Sequence, residues 1–430
     1  MNGIFFAIIL IAFLVAAFGQ ATWDGVGEAP MELLTDAAID SAGSSVTLAI
    51  SLVGVMALFL GLMKVAEAGG LLVIIARTVR PLMVRLFPEV PPEHPAMGAM
   101  ILNISANVLG LGNAATPFGI RAMQELDSLN RHKGTATNAM ALFLAINTSS
   151  VTILPTGVIA LRAAAGSEDA AGIVPTTLFA TICSTAIAIA SAKLYQRFWP
   201  ISAAHDEPTA TPDQELERTT VPDAPAEAHD GYPVWISALV LGGVLGLLPL
   251  TVFYGRAIAP WIVPGLIVGL LGFGVAKRVP VYEVFVEGAK DGFQVALRII
   301  PYLVAILVAV GMFRASGAMA LVLEPISRVT SLVGLPSEAL TMALLRPLSG
   351  SGAYGYVAST LPIVGPDSYS GYLISTLQGS TETTFYVLAV YFGAVQIRRV
   401  RHALAAGLTA DLAGIVAAVI ICSILYGSLT

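Results

Sequence analysis

The stretch Gln378-Gly379-Ser380-Thr381-Glu382-Thr383-Thr384 interrupts an otherwise apolar run, residues 369–395. That run is long enough to cross a bilayer, which takes ~20 residues. Its middle carries an amide, a glycine, four hydroxyls and a carboxyl. In hydrocarbon a polar group without a partner costs several kcal/mol, so the stretch must face protein, water or a ligand. A carboxylate near the midplane marks a functional site by default, and Glu382 is expected to carry a coupling proton or help hold a sodium ion. The alternative is a glutamate at a helix end reaching interfacial water. A second such stretch, Asn147-Thr148-Ser149-Ser150-Val151-Thr152, lies in the apolar run 136–161. Both read amide, small or hydroxyl, hydroxyl, hydroxyl, any residue, threonine. They are read as one site built twice.

Two further runs are broken by glycine and proline. Residues 95–126 contain Leu109-Gly110-Leu111-Gly112-Asn113-Ala114-Ala115-Thr116-Pro117. Proline suits the first turn of a helix, so one helix ends near Gly110 and another begins near Pro117, with Thr116 as its cap. Residues 336–361 contain Arg346-Pro347-Leu348-Ser349-Gly350-Ser351-Gly352-Ala353, where Ser349 or Ser351 would cap the returning helix. Each is read as a re-entrant hairpin with its tip inside the membrane. Free N–H groups at the returning helices suit an anionic group. Arg346 suits it bidentately or pairs with Glu382. Asn103, Asn107, Asn113, Asn147 and Gln378 would add amide contacts, and Gly112, Thr148, Ser149, Ser150, Ser380, Thr381 and Thr383 complete the candidate set. For each serine or threonine, bonding back to its own helix is the competing role.

Composition sets the class. The 430 residues are 56% hydrophobic and 12% charged, with a mean hydropathy of +0.81. Soluble domains carry roughly 25% charged residues, so this is an integral membrane protein. Apolar runs of helical length favour helices over a barrel, giving an all-α polytopic fold. A net charge of -6 argues against nucleic acid. Cys183 and Cys422 both lie in apolar runs, and the five histidines form no zinc pattern, so neither a metal nor a cofactor is expected. No HExxH or GxSxG motif is present, and the protein is not expected to be an enzyme.

In chain order, residues 3–19 read as a retained first crossing rather than a leader, because no basic residue precedes them. Asp24 to Asp40 reads as an external loop, 46–66 as the second crossing, and 70–87 as an interfacial helix with three arginines. Segment 174–195 returns inward. Residues 202–230, rich in Pro, Ala, Thr, Asp and Glu, cannot bury a core and read as a disordered cytoplasmic linker. Then come crossings 234–252 and 259–276, an amphipathic stretch 281–293, a crossing 294–313, an interfacial helix 318–333, the second hairpin, the Glu382 segment and a plain crossing 402–426.

The order crossing, interfacial helix, broken hairpin, interrupted helix, plain helix thus occurs twice. The domains are a first unit 1–199, a linker 200–232, and a linking helix with the second unit 233–430. Basic loops place the N-terminus in the cytoplasm and the second unit upside down, an inverted repeat of the kind secondary transporters use.

The motifs also resemble known families. Residues 103–119 (NISANVLGLGNAATPFG) and 147–155 (NTSSVTILP) resemble spore maturation protein A. Residues 346–353 (RPLSGSGA) and 377–393 (LQGSTETTFYVLAVYFG) resemble spore maturation protein B. The chain looks like a fusion of the two, within the nucleoside-recognition or gate-domain group. The resemblance implies two gate-domain units, a bacterial plasma (inner) membrane location and a homo-oligomer. The expected function is ion-coupled transport of a small polar or anionic solute. A non-transporting scaffold or a lipid-handling protein is the alternative. The expected partners are the solute and the lipid bilayer.

Overall fold

The computed structural model describes residues 2–110, 115–200 and 231–429. Among these residues it is all-helical, with one isolated bridge between Thr135 and Arg399. The expected linker falls mostly at 201–230, and the first hairpin tip, with Gly112 and Asn113, at 111–114; both lie outside the described residues. Among the described residues three helices are long and apolar enough to cross a membrane: Pro30–Ala68 (α2), Ile173–Tyr195 (α8) and Ala403–Leu429, whose α-helical part is α16 (Ala403–Tyr426).

The expected breaks are present. Helix α4 (Pro95–Val108) starts with Pro95 and is capped by His94, whose Nδ1 accepts from the Ala96 N–H at 3.2 Å. It ends at Gly110, φ +75°, and α5 (Ala115–Ser128) follows. A Cβ at Gly110 would collide with the carbonyl oxygen of Leu154, so both its backbone and its neighbour require glycine. The next run divides into α6 (Asn138–Thr148) and α7 (Thr156–Ala164). In the second half, α12 (Ser337–Leu345) and α13 (Gly350–Val364) flank Arg346-Pro347-Leu348-Ser349. There α14 (Tyr369–Ser380) and α15 (Thr384–Gly393) flank the Glu382 break.

Several boundaries differ from expectation. The acidic residues Glu32, Asp36 and Asp40 belong to α2, not to a loop. The stretches 281–293 and 294–313 form one helix, α10 (Val281–Ala315). Residues 234–276 form one helical run, α9 (Val234–Ala276), where two crossings were expected. The turn was expected between 252 and 259, but that stretch holds no proline and its one glycine does not forbid helical backbone. A straight run of this length would be roughly 64 Å long. Yet Tyr232 donates its N–H to Arg77 O at 3.1 Å, and Phe273 packs on Gly69, only about two helical turns earlier. The run α9 is therefore not a straight rod.

Packing follows a simple plan. Helices α2 and α10 lie against each other antiparallel. A Cβ on Gly292 would come 2.6 Å from Ala57 Cα, and one on Gly288 2.6 Å from Leu60 O, while Gly311 faces Ser41. Small residues let the two backbones approach, which is how helices pack where lipid supplies no hydrophobic drive. Helices α8 and α16 are also antiparallel: Ser184 donates to Ala410 O at 2.7 Å and Tyr426 to Gly172 O at 2.7 Å.

Among the described residues two large apolar cores result, beside smaller clusters. One holds α4, α5, α6 and α15, with Met97, Met140 and Tyr391 among its residues. The other holds α7, α12, α13 and α14, with Leu161, Tyr356 and Leu373. Each interrupted helix begins in one core and ends in the other, and α8 and α16 run through both. Two seams join the crossovers. At one, Arg398 and Arg399 donate their N–H groups to Gly134 O at 2.9 and 3.0 Å. At the other, buried Arg162 pairs with Asp367 at 2.9 Å, donates to Pro366 O and Ser375, and lies over the Tyr372 ring.

Candidate functional site

Both helix interruptions are held by backbone bonds. Ile153 in the first donates its N–H to Val108 O, at the end of α4, at 3.1 Å. Phe385, just after the second, donates to Pro347 O, beside the end of α12, at 3.1 Å. The N–H of Glu382 then donates to Thr148 O at 2.7 Å, tying the second break to the first. The helix-end groups Val108 O, Thr148 O and Phe385 N–H thus find partners outside their own helices, as a water-poor environment demands.

Arg346 braces the second break from α12. Its guanidinium donates to Thr381 O and, at 3.3 Å, to Thr383 Oγ1, and its Nη2 lies 3.6 Å from Glu382 Oε2. Arg346 is 6% exposed, whereas the Glu382 side chain is 48% exposed. The carboxylate therefore reaches open space and its arginine does not.

That space is a cleft of about 630 Å³ between the two halves. Asn107, Arg346, Gln378 and Glu382 of the expected set line it. Gln378 Oε1 is buried there without a hydrogen bond, and so is Arg346 Nε. Sequence reasoning missed Lys64, Glu67 and Asp291, which come from α2 and α10, and Tyr354 from α13. Polar and charged groups converge on an otherwise apolar wall formed by residues such as Met56 and Leu60, a form typical of small-molecule sites.

Other expected residues stand behind the wall. Asn107 donates to Asn147 Oδ1 at 3.0 Å, and Asn147 donates to Phe143 O at 2.9 Å. Asn103 donates to Ala115 O at 2.8 Å and to the Tyr391 hydroxyl at 3.2 Å; that hydroxyl in turn donates to Asn147 Oδ1 at 3.4 Å. Tyr391, from α15, was also missed. It links amides of the first half to a helix of the second. Thr148 and Ser149 bond back to Ala145 O, and Ser380 to Leu377 O, so these hydroxyls serve their own helices.

Ser150 is buried at the first break, where its carbonyl accepts from Thr152 Oγ1 at 3.3 Å. Ser349 caps α13, accepting from the Gly352 N–H at 2.9 Å. Ser351 is exposed within that helix and is not the cap. Thr116 lies inside α5, which begins one residue earlier, so it is not the cap expected at Pro117.

One more missed residue lies on the far side of the second break. Asp411 of α16 is 3% exposed and accepts from Thr384 Oγ1 at 2.7 Å. The rule that singled out Glu382 would have found it, for Asp411 also sits amid apolar residues.

Fold and site together define an all-helical membrane protein whose two interrupted helices meet at a polar cleft. The chain belongs to the Gate family, described as nucleoside recognition, whose model matches residues 49–165 and 296–398, just over half of its length. It is 49% identical over 166 residues to spore maturation protein B of Bacillus subtilis, spanning 93% of that protein and 39% of this chain. It is 41% identical over 184 residues to spore maturation protein A of the same organism, spanning 90% of that protein and 43% of this chain. No solved structure matches it.

Proposed function

We propose that this protein is a secondary carrier of a small polar or anionic solute in the bacterial inner membrane, driven by a coupling ion. The observation that carries this reading is the bond from the Glu382 N–H to Thr148 O, which puts both helix interruptions at one cleft. Discontinuous helices meeting around a polar space are how many carriers hold a solute at mid-membrane. The antiparallel packing of α2 on α10, and of α8 on α16, supports an inverted repeat. The pairs α4–α5 and α12–α13 are its re-entrant hairpins: α4 at ~21 Å and α12 at ~14 Å are too short to cross ~30 Å of hydrocarbon. With basic loops inside, the N-terminus is cytoplasmic.

In this reading Asn107 and Gln378 bind the solute's polar groups. Arg346 meets its anionic group when the Glu382 contact opens, and the chain performs no chemistry on its cargo. The family description makes nucleosides the first solutes to try.

The test is uptake by the purified protein in liposomes. Labelled nucleosides, amino acids and dicarboxylates are offered, each with and without pH and sodium gradients. We expect one class to accumulate above empty liposomes, and Arg346→Ala to abolish it. If no solute in the panel moves under any gradient, the carrier reading fails in favour of a scaffold.

A further inference from the structure

We propose that Asp411 is a proton-binding site of this protein, distinct from the cleft-facing Glu382, and that it carries the coupling proton. The coupling role rests on the carrier reading above; the protonation of Asp411 does not.

The geometry begins with α16. Gly407, Asp411 and Gly414 recur at spacings of four and three, so they share one helix face. That face lies on the second break. A Cβ at Gly407 would come within 2.9 Å of Thr384 Cγ2, and one at Gly414 within 2.8 Å of Thr381 Cγ2. The two glycines let the helix close on the interruption, and Asp411 between them is pressed against its hydroxyls.

Its surroundings do not suit a bare charge. Oδ2 accepts from Thr384 at 2.7 Å, the Thr381 hydroxyl also faces the carboxyl, and buried Oδ1 completes no well-formed hydrogen bond. No basic side chain forms an ion pair with Asp411 among the described residues. The charged group it feels is Arg346, beyond the break, whose close carboxylate is Glu382.

The other elements packed on α16 offer little charge. Helix α6 has no titratable residue, α14 has Tyr369 and Tyr372, and α15 has Tyr386 and Tyr391. Helix α8 has Cys183, Lys193 and Tyr195, of which Tyr195 bonds to Thr409. Among the described side chains α9 presents no charged group to it. On α16 and its flanks are Arg401, His402, Cys422 and Tyr426.

A buried ionised carboxylate without a counterion costs far more than a buried carboxylic acid with one unpartnered hydroxyl. One guanidinium neutralises one carboxylate. The trio Arg346, Glu382 and Asp411 therefore holds a proton, and burial puts it on Oδ1 of Asp411, with Oδ2 as the carbonyl oxygen that accepts from Thr384. Helix α8, which pairs antiparallel with α16, has no carboxylate, so the site exists once. Anything that draws Arg346 from Glu382 toward Asp411 releases that proton, which is how occupation of the cleft and proton transfer become linked.

The test needs no solute. Infrared difference spectra are recorded on the full-length protein in lipid nanodiscs, in H2O and D2O, across a pH titration in sodium and in potassium. We expect the C=O stretch of a protonated carboxylic acid at neutral pH, unchanged by sodium, absent in Asp411→Asn and weakened or lost in Glu382→Gln, where Arg346 has no closer carboxylate left to neutralise. Thr384→Val leaves the acid in place but removes the bond to its carbonyl, so the band should shift upward. This second variant keeps the test decisive if Asp411→Asn does not fold.

No band at neutral pH in the wild type overturns the proposal. So does a band that Asp411→Asn keeps, or one that sodium abolishes, which would mean that a sodium ion holds the carboxylate. Failure of the uptake assay with the band present removes transport and leaves the proton site standing.

Discussion

The N–H of Glu382 and the carbonyl of Thr148, 2.7 Å apart, join two chain interruptions that lie more than half the sequence apart. Arg346 keeps that join in register by gripping Thr381 O and Thr383. A lysine cannot reproduce two diverging bonds from a planar fork. Arg346→Lys should therefore destabilise the protein by about 1–3 kcal/mol, the cost of leaving a buried acceptor unsatisfied. Thermal unfolding in detergent measures this, and a variant as stable as the wild type would show that the grip is dispensable.

Gly110 makes a different demand on the first break. Its φ of +75° and its contact with Leu154 O both exclude a side chain. The left-handed backbone alone costs a non-glycine residue roughly 1–2 kcal/mol. Gly110→Ala should lose more than that, and Gly134→Ala, with equally positive φ but nothing within 4 Å, should lose only the backbone part. Equal losses in the two melting curves would mean that the approach to Leu154 is not tight.

The Arg162–Asp367 seam should be strongly coupled. Arg162 is 0% exposed, and Asp367 also accepts from Ser167 and from the Glu168 N–H. Removing one partner of a buried pair typically costs about 3–5 kcal/mol. Arg162→Met should lie in that range, and Asp367→Asn should cost less because it keeps an acceptor. A double-mutant cycle should give coupling of at least about 1 kcal/mol. Strict additivity would dissolve the seam.

His402 gives a pH dependence. It is buried just before α16, both ring nitrogens lack partners, and burial together with the charge of Arg401 pulls its pKa from 6.5 down to about 4. The unfolded chain takes up this proton at about pH 6.5, whereas the folded chain resists until about pH 4. The stabilising contribution is thus complete above the unfolded value and is lost as pH falls between the two. The melting temperature should drop across that window, and His402→Asn should flatten the drop. An unchanged slope in the variant would assign it to other groups.

Much of this was legible in the sequence. Gly110, Pro117 and the glycines after Arg346 marked the two hairpin breaks, because backbone chemistry is local, and the polar stretches beginning at Asn147 and Gln378 marked the other two. The amides and Arg346 were legible as costly polar residues in apolar runs. Helix ends were less so. Asp36 and Asp40 were read as loop charges, and Lys290 and Asp291 as part of an amphipathic stretch separate from the crossing, yet all four lie on helices longer than a bilayer needs.

The orientation of the halves was counted from crossings, and α9 as one run undermines that count. The antiparallel contacts of α2 with α10 are what favour the proposed inversion instead, and they are tertiary. So are Tyr391, Lys64 and Asp291, which reach the site from distant helices and carry no local mark. Asp411 alone had a local mark, and it was overlooked inside a segment read as plain.

The exchange of half-helices between the two cores bears on biosynthesis. When α7 emerges from the ribosome, the apolar bed it must occupy, made by α12 to α14, has yet to be translated. The core around α6 likewise waits for α15. The first half is thus born with an open socket and a loose plug, and only the last third of the chain can fill the one and receive the other.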